Sequence, residues 1–187
     1  MKDRLAEFPG PVGLPPNVTV GGDSVIAGLR AFSRFRSRRK PGLVIGRHST
    51  MDGVQFSVGE DAVVKIGDYC YFCSAILMSE LEIDIGNFVF VGWNVAIADS
   101  DFHPIGPAER LADAIACSPL GSDRPRPPVI RRAVRIDDDV WIGPNAAVMK
   151  GVHIGAGAFI EPGSLVTRNV PPRARVLGNP ARVIGRV

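Results

Sequence analysis

The chain has 187 residues, 45% of them hydrophobic, with a net charge of +3 and three cysteines. That length suits one domain with a continuous core, so small a charge points to no polyanionic partner overall, and three cysteines give no disulfide framework. No stretch is long and apolar enough to span a membrane, and the segment from Met1 to Pro9 lacks the apolar region of a signal peptide. A cytoplasmic protein is therefore expected.

Residues 1–42 form a first section without a clear repeat. Val25, Ile26, Leu29, Phe32 and Phe35 fall on one face of a predicted helix, which would cap the open end of whatever follows. A basic run comes next: Arg34, Arg36, Arg38, Arg39 and Lys40. It reads as a solvated tail of the cap, or as a contact for an anionic lipid surface or glycan. Nucleic acid is not expected, because no aromatic-basic platform or reading helix accompanies the run.

From residue 43 an aliphatic column begins. Ile45 and Met51 make a rough first coil. Ile66, Phe72 and Met78 are spaced by six; one extra residue then shifts the frame to Ile85, Val91 and Ile97. Cys70 and Cys73 have the spacing of a redox or zinc pair, but this phase puts Cys70 inside and Cys73 outside. Opposite sides of a wall do not make a chelate, so Cys70 is read as a small buried hydrophobe.

The column breaks over 99–128, where Pro104, Pro107, Pro119, Pro125, Pro127 and Pro128 forbid a regular coil. Residues 107–116 suit a short helix with proline in its first turn. The column then resumes as Ile130, Ile136, Ile142, Val148, Ile154, Ile160 and Val166. Four residues after each comes a small or β-branched partner: Val134, Val140, Ala146, Val152, Ala158, Ser164 and Val170. A period of six fits neither a helix nor an alternating strand. It fits a parallel β-helix of hexapeptide repeats, so the expected architecture is all-β. A regular coil supplies no chemistry, which directs attention to the interruption.

His48 and His153 lie within repeat coils near turns. His103 lies where the period breaks, with Asp99 and Asp101 before it and Pro104 holding the backbone extended. A loop histidine beside a carboxylate can act as a general base, because the acid fixes the tautomer and stabilises the imidazolium. The three histidines are too far apart to form the zinc triad of a γ-class carbonic anhydrase, and no metal site is expected.

Several ordered segments carry a resemblance: Asp101-Phe-His-Pro104, Asp139-Val-Trp-Ile-Gly-Pro-Asn145, Gly155-Ala-Gly157 through Thr167, Val170-Pro-Pro172, and Gly178-Asn-Pro-Ala-Arg182. Together they resemble the hexapeptide-repeat acyltransferases, in particular the galactoside, maltose and nodulation-factor O-acetyltransferases, over residues 43 to 187. The resemblance implies a left-handed parallel β-helix, against the usual right-handed crossover. It also implies a homotrimer with sites between neighbouring coils and acetyl-CoA as acyl donor. It assigns His103 as the base, for which the spacing offers Asp101 and Asp99 as carboxylates, and it assigns Trp141, Pro162, Gly163, Thr167, Arg168 and Arg182 to the CoA side, where Gly143 is also placed. The acceptor would be a small molecule or glycan, with transfer to a sugar hydroxyl. The alternatives on this fold are an N-acetyltransferase acting on an amino sugar or antibiotic, and a non-catalytic scaffold subunit.

Two positions depart from the family pattern. Pro144 stands where the sugar acetyltransferases use a backbone N–H, which proline lacks, so Gly143 becomes the candidate oxyanion donor. Cys73 stands at the phase of the galactoside enzyme's substrate-binding asparagine and cannot hydrogen-bond a sugar comparably. A different acceptor is expected.

Overall fold

The computed structural model describes residues 13–187 apart from 29, 120 and 122. The chain winds into a left-handed parallel β-helix of about seven turns, with one short helix. The first coil contains β1 (Val18–Val20) and β2 (Val25–Ala27). The second has β3 (Leu43–Ile45), β4 (Thr50–Asp52) and β5 (Gln55–Val58). The third has β6 (Val63–Ile66), β7 (Tyr71–Cys73) and β8 (Ile76–Ser79), and the fourth β9 (Glu82–Ile85), β10 (Phe90–Val91) and β11 (Ala96–Ala98). Helix α1 (Pro107–Ala116) lies in the interruption. Regular winding resumes with β12 (Val134–Ile136), β13 (Trp141–Ile142) and β14 (Ala147–Val148), then β15 (His153–Ile154), β16 (Phe159–Ile160) and β17 (Leu165–Val166). It ends in β18 (Ala174–Gly178), which turns back antiparallel as β19 (Ala181–Arg186).

Successive coils stack their strands into three walls, and the prism is triangular in section. Wall A runs β1-β3-β6-β9-β12-β15, wall B runs β2-β4-β7-β10-β13-β16-β18-β19, and wall C runs β5-β8-β11-β14-β17. The hexad column is the inward line of all three. Ile45, Ile66, Ile85, Ile136 and Ile154 stack in wall A. Met51, Phe72, Val91, Ile142 and Ile160 stack in wall B, and Phe56, Leu77, Ile97, Val148 and Val166 in wall C. All are buried, each contributing about 1.5–3 kcal/mol of transfer free energy. The fourth-after residues from Val134 to Val170 are buried too, because the narrow corners admit only small side chains.

Three expectations need correction. The described residues of the N-terminal section form strands, not a helix: β1 pairs with β3 and β2 with β4, so the winding starts well before residue 43. The apolar spacing of Val25, Ile26, Phe32 and Phe35 reflects this coil, with Phe35 bridged to Val58; Leu29 lies outside the described residues. Second, Leu77 points inward and Met78 outward. The turn after Phe72 is one residue shorter than that after Val91, with Ser74 at φ 49°. Third, Ile130 is 51% exposed, and regular winding returns only at Val134. The cysteines behave as the phase requires, with Cys70 buried and Cys73 partly exposed.

At the corners between walls A and B, as at those between B and C, the backbone turns through the left-handed region. His48, Tyr69, Phe88 and Asp139 take φ from 56° to 60° between walls A and B. The rings of His48, Tyr69 and Phe88 stack at 4.7 and 5.4 Å, a favourable offset.

Candidate active site

The corner from wall C to wall A is where the chain departs from the repeat. Between β14 and β15 it closes in a few residues; between β11 and β12 it opens into residues 99–133. The departure starts at Asp99, which is fully buried. Its carboxylate accepts from Ser79 Oγ at 2.6 Å and from the N–H groups of Glu80 and Leu81 at 2.7 and 2.9 Å. Asp99 therefore fastens the preceding corner and does not reach His103. Asp101 makes its contact with Lys150 Nζ, and its second oxygen is buried without a partner. Both carboxylates assigned to His103 from the sequence are thus engaged elsewhere.

Phe102 turns through φ 59°, its N–H donating to Ser100 Oγ at 3.0 Å, while the His103 N–H donates to the Asp101 carbonyl at 2.6 Å. Pro104 is buried behind it. The imidazole is then met by a carboxylate the spacing did not suggest. Asp113, on the inner face of α1, lies 2.6 Å from His103 Nδ1. Its side chain is 1% exposed and that of His103 62%. Arg126 donates to Asp113 through Nε at 2.7 Å and Nη2 at 3.1 Å, and Nη2 also donates to the Phe102 carbonyl at 2.7 Å. One guanidinium therefore ties the helix to the turn that carries His103.

These bonds set the electrostatics. Hydrogen bonds from Arg126, then from His103, hold the Asp113 carboxyl down to about 2, outweighing its burial. An ionised Asp113 accepts the Nδ1 proton, which leaves Nε2 as the lone-pair nitrogen, directed away from the anchor. α1 starts at Pro107 with no side-chain cap, and Arg110 Nη1 donates to the Ile105 carbonyl beside it at 2.8 Å. The helix expected over 107–116 is thus present, and its task is to bring Asp113 under the histidine.

The chain matches the family model "Bacterial transferase hexapeptide (six repeats)" over residues 133–168. It is 36% identical over 135 residues to nodulation protein L of Rhizobium meliloti (strain 1021), covering 68% of this chain and 69% of that one. The chain belongs to the hexapeptide-repeat acyltransferase family. It is also 31% identical over 125 residues to a galactoside O-acetyltransferase of Lactococcus lactis subsp. lactis (strain IL1403). That match covers 67% of this chain but spans only about half, 53%, of the Lactococcus relative. Among solved structures, a hexapeptide-repeat acetyltransferase of Vibrio cholerae O1 biovar eltor, complexed with acetyl coenzyme A, is similar with a TM-score of 0.64. It shares 26% identity, over 84% of this chain and 75% of that one.

The family-assigned residues are spread over the prism. Trp141 stands on the outer face of wall B, 53% exposed and stacked on Phe159 at 4.5 Å. Arg175 lies 5.7 Å over the other ring of that pair. Pro162 and Gly163 turn the B–C corner, Thr167 and Arg168 lie at the C–A corner, and Arg182 is on β19; all are exposed except Gly143, which the next coil covers. The Gly143 N–H donates to the Ile160 carbonyl at 2.8 Å, so the oxyanion role suggested for it is corrected: its proton is already used. A Cβ at this position would come within 2.7 Å of Pro162 N, which accounts for the glycine by backbone stacking.

Sequence reasoning missed Asp113, Arg126 and Lys150. A carboxylate inside an alanine-rich amphipathic helix ten residues after the histidine was the available signal for Asp113. Arg126 and Lys150 left none, because only the fold brings them to this corner.

Proposed function

We propose that the protein is a CoA-dependent acyltransferase that transfers an acetyl group to a hydroxyl of a sugar or glycan, with His103 as general base. The observation that carries this reading is the Asp113–His103 pair, with Nδ1 anchored on a buried carboxylate and Nε2 left to the solvent side. Nε2 takes the proton from the acceptor hydroxyl as its oxygen attacks the thioester carbonyl. The tetrahedral species collapses with cleavage of the C–S bond, and the imidazolium returns its proton to the departing CoA thiolate. The imidazolium is stabilised by ionised Asp113, itself held by Arg126. No acyl-enzyme is required.

The donor would lie along wall B and the last coils. Trp141 and Phe159 offer an apolar face, and Arg168 and Arg182 supply charge for the CoA phosphates. In a triangular prism the C–A edge is opposite wall B, so the chain's own Trp141 faces away from its own His103. A second copy supplying wall B beside the His103 edge completes the site, which supports the homotrimer. Pro144 contributes no oxyanion N–H, and the Cys73 departure favours an acceptor other than a galactoside.

Thiol release from acetyl-CoA, screened across nucleotide sugars, free sugars and amino sugars, tests the reading, with sedimentation for the assembly. A trimer stabilised thermally by acetyl-CoA and releasing thiol with a hydroxyl acceptor is expected. A monomer with no thermal shift at saturating acetyl-CoA would overturn it.

A further inference from the structure

Charge is sorted along the prism in a way that transfer chemistry does not require. Arg30, Arg34, Arg36, Arg38, Arg39 and Lys40 follow one another in the first coil, where Asp23 is the sole carboxylate among the described residues. The next coils invert this, with only Arg47 and Lys65 against seven carboxylates over residues 43–84. The cations at the end are exposed. Glu60 pairs with Arg38 at 3.2 Å; the other five make no ion pair among the described residues.

Their placement follows from the winding. Arg30 and Arg34 lie on the turn from β2 towards the Phe35–Val58 bridge, and the Arg36 N–H donates to the Val58 carbonyl. Arg38, Arg39 and Lys40 then round the C–A corner, where Asn17 Nδ2 donates to the Ser37 and Arg39 carbonyls and fixes the backbone. The cations therefore extend along one side of the terminal coil and round its corner; of the six, Arg39 and Lys40 line a cavity with Asp61, Lys65 and Glu82, and the rest lie outside it. Spread, exposed and unpaired charge on the end of a prism matches a planar array of anions better than a single ligand. A single strand would call for stacking rings, and the aromatic column Tyr71, Phe90, Trp141 and Phe159 lies on wall B instead; a duplex would call for a helix or ribbon to enter its groove, and α1 lies in the interruption, coils away from this end.

The same C–A edge carries the His103 insertion three coils further on. At about 4.8 Å per stacked strand, the basic corner lies roughly 14 Å along that edge from where the insertion begins. We propose that the first-coil end of the prism docks on an anionic lipid surface through Arg30, Arg34, Arg36, Arg39 and Lys40, which sets the His103 edge beside the membrane.

The test is co-sedimentation of the full chain with phosphatidylcholine vesicles, with and without about one third phosphatidylglycerol. Binding to the anionic vesicles alone is expected at low salt, with release as salt shortens the screening length to about 3 Å at 1 M. At roughly fivefold per cation near the surface, the variant R34Q/R36Q/R39Q/K40Q is expected to bind several hundred-fold more weakly. Its thermal midpoint and thiol-release activity should be kept. R173Q/R186Q, at the far end, is the matched control and should bind like the parent. Equal binding by the two variants, no binding by the folded parent at low salt, or a parent that prefers a DNA duplex over the vesicles would each overturn the proposal. Because thiol release is read separately, its presence or absence leaves this outcome legible.

Discussion

Two histidines of this chain sit beside an aspartate and an arginine, one at the interruption of the repeat and one on a regular wall. At the corner, His103 Nδ1 meets Asp113 at 2.6 Å, and Arg126 holds the carboxylate from the far side. On wall A, His153 Nε2 meets Asp137 at 2.8 Å, and Arg135 Nε reaches the other oxygen at 2.9 Å. The wall triad is a by-product of the ladder: Arg135 and His153 are cross-strand partners in register, and Asp137 directly follows the end of β12. Its aspartate is 23% exposed, against 1% for Asp113. Burial works against ionisation of Asp137, but the bonds from His153 and Arg135 outweigh it and hold its carboxyl below the usual range. The corner triad joins a left-handed turn at Phe102, a helix and the proline-flanked return segment that carries Arg126, leaving Nε2 free. The wall triad occupies Nε2 itself. Proximity of histidine to carboxylate is thus common to both; the nitrogen engaged and the depth of the anchor separate them.

The largest expected effect breaks the comparison directly. His103→Ala should fold with an unchanged thermal midpoint and lose about 10²–10⁴ in kcat, the usual cost of a general base. His153→Ala should keep kcat within about threefold. Thiol-release kinetics on both variants decide it, and equal losses would place the chemistry elsewhere.

The wall can be weakened without touching the corner. Ile154 is the fully buried neighbour of His153 and stacks on Ile136. Ile154→Ala should cost about 2–5 kcal/mol of stability by denaturant unfolding, from lost burial and the cavity left behind. Activity at a temperature where the chain stays folded should be close to that of the parent. A large loss of kcat in the folded variant would mean that wall and corner are coupled.

Asp113→Asn sharpens the contrast. It keeps the shape but removes the charge that fixes the Nδ1–H tautomer, and kcat should fall about 10²-fold, the lower end of a base's contribution; Asp137→Asn should change it little. The same carboxyl gives a pH signature. Its folded value, about 2, is depressed below the unfolded value of about 3.9. The stabilisation is therefore fully present above about pH 4 and is lost as pH falls through about 2. Thermal midpoints should fall more steeply over that window in the parent than in Asp113→Asn; parallel curves would remove Asp113 from the anchor.

What could be read from the sequence divides along the same line. The column from Ile136 to Val166 fixes walls and phase, and the earlier column through Ile66 and Phe72 fixes the buried state of Cys70, because in a solenoid each residue's environment follows from its position in the repeat. The insertion is not periodic, so the sequence marked His103 by where the period fails but could not say what meets it. Asp99 and Asp101 were nearest in the chain, yet one fastens the corner through Ser79 and the other meets Lys150. The N-terminal strands were hidden for a related reason: three-residue strands of β-branched side chains in a loose coil mimic the spacing of one helical face.

Trp141 tests the part of the site that one chain does not complete. Its ring is half exposed and stacks only on Phe159, with Phe90 as its other neighbour along the wall. Such a pair adds about 0.5–1.5 kcal/mol beyond burial, so Trp141→Ala should leave the thermal midpoint nearly unchanged. If the ring lies against the donor, KM for acetyl-CoA should rise roughly tenfold, or about 1.4 kcal/mol, with kcat nearly constant, the pattern of lost uniform binding. A mixture of Trp141→Ala with His103→Ala extends the test. If each site takes its histidine from one copy and its tryptophan from the next, exchange of subunits should restore sites that hold both residues, at the parental KM. If both residues of a site came from one chain, mixing would restore none, and the assignment of wall B to the neighbouring copy's site would fail.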